Sequence, residues 1–169
     1  TEYADKYCNG KIDVLIAHLG VNSSLWENSN PNTAISDART LIDGYFADFP
    51  EGKMIITAIP MPDEGTNVYG NTNSENNINR YGTVSSFLRY NKELYDLVEE
   101  LKSKYKISYV PTNVLFDTDY AYPKEYKSVN PRMDMFKEMV GVNGVHPTPE
   151  GSYMVSDAIL PVFYKKIVE

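Results

Sequence analysis

The 169-residue chain is short of cysteine, of histidine and of positive charge. Its single cysteine, Cys8, has no partner within the chain for a disulfide and no companions for a cysteine-based zinc site. The only two histidines, His18 and His146, lack the i, i+4 spacing of a helical metal motif, and the carboxylates are scattered. No metal and no cofactor is therefore expected. There are 16 Lys and Arg against 23 Asp and Glu, a net charge of −7 with no basic run. That balance argues against nucleic acid or an anionic membrane surface as partner. The longest apolar runs, such as residues 54–60, fall well short of the roughly 20 residues needed to span a bilayer. A glycine-rich phosphate loop and a Gly-x-Ser-x-Gly nucleophile elbow are also lacking.

What is present fits one globular domain over residues 1–169, with 42% hydrophobic and 23% charged residues. Glu2 to Tyr7 patterns as the tail of a helix stopped by Gly10, so the chain is expected to enter partway into a fold. Ile12 to Leu19 is a short apolar run ending at Gly20, the pattern of a strand buried on both faces. Asn32 or Thr33 can cap a helix whose apolar positions run from Ile35 to Phe46, ended by Pro50 and Gly52. Lys53 to Ile59 predicts a second strand, stopped by Pro60 and Pro62. Residues 61–80 are polar and asparagine-rich and read as a long loop, of the kind used for lids. Thr83 to Lys104 carries the clearest helical periodicity, and Ile107 to Pro111 is a third short strand. Asn113 to Gly144 reads as mostly irregular, with a short helix near Met133 to Met139. Thr148 and Pro149 form a cap and first-turn pair for a last helix through Lys166. Strands alternating with helices imply an α/β fold with a doubly wound parallel sheet.

Ligands of open parallel sheets bind at the carboxyl ends of the strands. Gly20-Val21-Asn22-Ser23 closes the first strand, and Asn143-Gly144-Val145-His146-Pro147 precedes the last helix, so the two segments are predicted to meet. His146 is a candidate general base, presented from an extended backbone by Pro147; its plain reading is a helix-start histidine. Asn22 is a candidate amide donor to an oxyanion; its plain reading is a turn residue. His18, inside the apolar run, reads as a satisfied core histidine. The 14 tyrosines suit a carbohydrate-facing surface and equally an ordinary core.

Together the segments are more specific. DVLIAHLGVNSS resembles the third conserved block of SGNH (GDSL-like) hydrolases, and NGVHPTPEGSYMVSDAI resembles the fifth, where Asp-x-x-His-Pro precedes a helix. RYNKELYDLVEELKSKYKISYVPTNVLFD is similar to that family's helix and last strand. YPKEYKSVNPR resembles a loop of SGNH domains in bacteriophage and bacterial surface proteins, which implies a secreted, cell-surface or virion location. The resemblance implies a flavodoxin-like SGNH hydrolase fold without its N-terminal strand or strands, the chain being the C-terminal part of such a domain. It implies His146 as the base activating a serine, with Asn22 and Gly20 building the oxyanion hole.

Two departures qualify it. The family's acid three residues before the histidine is Asn143 here, which implies a weakened triad or a dyad. The family's Gly-Asp-Ser block does not occur, so the serine is expected from a segment outside these residues; Ser23 or Ser24 would be poor substitutes, sharing a loop with the oxyanion residue. The first expectation is thus an esterase acting on O-acetyl groups of an acylated glycan. Its alternatives are a catalytically inactive glycan-binding or structural module, as in a phage tail, and a flavodoxin-like small-molecule binder.

Overall fold

The computed structural model describes residues 2–24, 31–63, 80–130, 132–141 and 143–168. Its core is a parallel sheet of three strands, β1 (Val14–Ala17), β2 (Lys53–Thr57) and β3 (Ile107–Val110), in the order β1-β2-β3. Ala17 pairs with Ile56 and Ile56 with Tyr109. Alternation then sends Leu15, Ala17, Met54 and Ile56 to one face and Ile55 and Val110 to the other. Two helices cover the first face, α3 (Pro31–Asp48) with Ile42 and Phe46, and α4 (Arg80–Leu101) with Phe87, Tyr90, Leu94 and Val98. The second face meets Ala158 and its apolar neighbours on α7 (Pro149–Phe163), which runs on into a π-helical turn, Tyr164–Val168. The doubly wound expectation holds because both sheet faces are apolar and each needs its own helical cover.

The shorter elements are α1 (Glu2–Tyr7), the one-turn α2 (Val21–Ser24), α5 (Thr112–Leu115), α6 (Thr118–Ala121), and an antiparallel hairpin of β4 (Lys124–Asn130) and β5 (Met133–Gly141). The hairpin overturns the irregular reading of 113–144 and the helix near Met133. Met135, Phe136 and Met139 are exposed, so their spacing reports no buried face; strand pairing such as Tyr126 with Met139 decides instead. Helix α3 begins at Pro31, ahead of the expected caps Asn32 and Thr33, with proline in the first turn where its missing N–H costs nothing. The lid-like loop expected over 61–80 lies outside the described residues from 64 to 79.

Beyond β2, residues 58–63 leave the sheet without losing their backbone partners. The Ala58 N–H donates to the Val110 carbonyl at 2.8 Å. The buried Asn91 side chain on α4 both donates to the Ile59 carbonyl, at 2.9 Å, and accepts from the Ile59 N–H, at 2.8 Å. A buried amide pinned this way fixes the direction in which Pro60 to Asp63 run, toward the carboxyl rim of the sheet.

Candidate active site

The first wall of the rim follows β1. Gly20 has φ +121, a conformation that disfavours a side chain, and a Cβ there would sit 2.3–2.4 Å from the Tyr90 ring. The Tyr90 hydroxyl donates to the Leu19 carbonyl at 3.0 Å, so ring and turn hold one another. The turn leads directly into α2, on which Asn22 is exposed. Gly20→Ala is expected to cost about 1–3 kcal/mol through backbone strain and the clash with Tyr90, read from the urea midpoint; an unchanged midpoint would show that the turn relaxes freely.

The second wall precedes α7. The Asn143 Oδ1 accepts from the backbone N–H of Val145, at 3.0 Å, and of His146, at 2.9 Å, while its Nδ2 lies 2.9 Å from the His146 Nδ1. Side-chain oxygens of Asn commonly hold the backbone two residues on in this way. Gly144 is buried against Asp63: its carbonyl accepts the Asp63 N–H at 3.1 Å, and a Cβ on it would stand 3.0 Å from the Asp63 Cβ. Thr148 closes the segment as expected, its Oγ capping α7 at the Gly151 N–H, 3.2 Å, and its own N–H donating to the Ala121 carbonyl, 2.8 Å. His146 itself is exposed.

The two walls face a common small cavity of about 30 Å³, lined by His18 and Val21 from the first and by Gly144, Val145 and Pro147 from the second. Val21 and Val145 also pack on the same core. Asn22 and His146 are therefore the exposed residues directly following two apolar anchors that share one pocket, and the predicted convergence of the loops is found. His18 departs from expectation: it stands past the end of β1, exposed at the rim rather than in the core. It is satisfied, with Nδ1 2.5 Å from the Thr57 Oγ, and desolvation pulls its pKa below the usual imidazole value.

Beside the cavity, Asp63 is buried, with one oxygen 3.9 Å from the Lys124 ammonium and Oδ2 without a hydrogen-bond partner among the described residues. Burial, and secondarily the Asp63 charge, push the Tyr122 phenol up, so it stays protonated and donates to the Met61 carbonyl at 2.8 Å. Sequence reasoning missed Asp63 and Tyr122; the position of Asp63 beyond the carboxyl end of the second strand was the available signal. Ser23 and Ser24 fall in α2, and their side chains lie outside the described part.

Two apolar hollows flank β1, an edge strand among the described residues. One, of about 310 Å³, lies between Ile16 and Ile159, Leu160 and Phe163. The other, of about 320 Å³ on the opposite face, is lined by Leu19, Gly20, Ala34, Leu41 and Tyr90 among others.

No family model and no curated protein matches the chain. Solved structures do. A Streptococcus pneumoniae protein described as a platelet activating factor superposes with a TM-score of 0.62 at 16% identity, over 90% of this chain and 60% of the other. A Parabacteroides merdae protein described as a GDSL-like lipase gives 0.61 at 20% identity, over 95% and 64%. The chain has the GDSL-like, or SGNH, hydrolase fold. It spans under two thirds of the length of these neighbours. In this fold the rim built by Gly20 to Asn22 and Asn143 to Pro147 lies at the carboxyl ends of the parallel strands, where ligands of such sheets sit.

Proposed function

We propose that this chain carries the histidine and oxyanion part of a serine ester hydrolase of the SGNH type. The observation that carries the reading is the exposed His146, held through Nδ1 by Asn143 on a loop that shares a cavity with the Gly20–Asn22 turn. A serine supplied from outside these residues attacks the ester carbonyl; His146 takes the serine proton and returns it to the leaving alcohol. Water, deprotonated by His146, then attacks the acyl-serine and releases the carboxylic acid, with the proton going back to the serine. The Asn22 amide, set by Gly20, stabilises the oxyanion of both steps. The β1 edge, unpaired among the described residues and with apolar hollows on both faces, supports the addition of a serine-bearing segment there as a further strand. The substrate is an O-acetyl ester of a glycan. Exposed Tyr120, Tyr126 and Tyr153, on the elements before and after the His146 loop, offer ring faces for sugars.

The neutral amide at Asn143 favours a second reading, a glycan-binding module without turnover. A fluorophosphonate probe on the protein together with its serine-bearing segment separates the two. Labelling of one serine, lost on competition with an aryl acetate, is the expected result; an unlabelled protein that still binds acetylated glycan decides for the module.

A further inference from the structure

We infer that Asn143 locks His146 in the tautomer protonated at Nε2, so that the outward ring nitrogen of the resting site is a hydrogen-bond donor and the amide restrains proton abstraction. This rests on His146 being the acid–base group of the proposed hydrolase.

The assignment follows from counting donors. Backbone N–H groups can only donate, and two of them, from Val145 and His146, point at one atom of the Asn143 amide at 3.0 and 2.9 Å. That atom must be the oxygen, since reversing the amide would set its NH2 against both donors. The NH2 then faces the His146 Nδ1 at 2.9 Å. An amide nitrogen has no lone pair to offer, so Nδ1 must accept. A neutral imidazole has one N–H, which therefore sits on Nε2. A general base needs the reverse, Nδ1–H held by an acceptor and a lone pair free at Nε2. To take a serine proton, His146 must first move its own proton to Nδ1 and lose the Asn143 contact. The imidazolium formed would again oppose N–H to N–H.

A carboxylate at position 143 would change one group only. One oxygen would keep both backbone N–H bonds, and the other, in place of NH2, would accept from Nδ1–H. Asn143 is thus a positioning residue that selects a donor face at Nε2. In the ground state that face engages an acceptor oxygen, such as an ester carbonyl or a product carboxylate, rather than a serine hydroxyl.

Nitrogen-15 NMR of the imidazole-labelled chain tests this directly. With His18→Gln simplifying the spectrum, the neutral form of His146 should show a protonated Nε2 and a bare Nδ1, and Asn143→Asp should reverse them. In the protein joined to its serine-bearing segment, Asn143→Asp should raise kcat/KM for an aryl acetate by 10²-fold or more, toward the about 10⁴ that the converse exchange costs a triad. A native spectrum with the proton on Nδ1, or one that Asn143→Asp leaves unchanged, overturns the inference. Reversed tautomers with no hydrolysis in either form would leave the lock standing and remove the esterase reading instead.

Discussion

Replacing His146 by alanine is expected to lower kcat/KM for an aryl acetate about 10²-fold in the protein with its native Asn143, and far more in an Asn143→Asp background. Removing the histidine of an optimised triad costs roughly 10⁶, and exchanging its acid for an amide costs about 10⁴ by fixing the wrong tautomer. The native arrangement has already conceded the second factor, which leaves a ratio of about 10² for His146 to lose. In the carboxylate background the full contribution is restored. Because His146 is exposed and its neighbours are held by backbone contacts, the alanine should shift stability by no more than about 0.5 kcal/mol. Steady-state kinetics on both backgrounds, with a thermal midpoint as control, supply the check. An equal and small loss in the two would take His146 out of the chemistry.

Asn22→Ala is expected to reduce kcat by about 10²–10³ while KM stays within a few-fold. The split follows from when the bond forms. A donor aimed at the tetrahedral oxyanion gains most of its value as charge develops, so its loss appears in the chemical step and not in ground-state binding. The residue sits on one turn of helix directly after Gly20, whose φ of +121 and contact with Tyr90 leave the turn little freedom to move. A rise in KM at constant kcat would make Asn22 a binding residue and would move the oxyanion hole elsewhere.

Much of this architecture could be read before any coordinates. The helical repeat of 83–104 and the Thr148–Pro149 cap report a buried face and near neighbours, and the run from Ile12 to Leu19 marked a strand, although Ile16 and Leu19 are exposed where burial on both faces was expected. The hairpin of β4 and β5 could not be read in this way. Its apolar residues Met135, Phe136 and Met139 face outward, so a pattern that elsewhere marks the core marked nothing here. His18 was misplaced for a related reason: it extends an apolar run by one residue beyond β1, and only the end of the strand, at Ala17, shows that it has reached the rim.

By itself, the amino-acid order determined the three parallel strands and the long helices between and after them, that both faces of the sheet are covered, and that an asparagine and a histidine lie at element ends. Those properties are set by burial and capping within a few residues. Tertiary structure alone decided the size and lining of the cavity that the two loops share, that Tyr90 stands where a Gly20 side chain would go, that Asp63 backs Gly144, and which way the Asn143 amide faces. Most of these depend on groups distant in the chain, whose meeting is fixed by packing. The amide depends on backbone N–H directions that a local pattern does not specify.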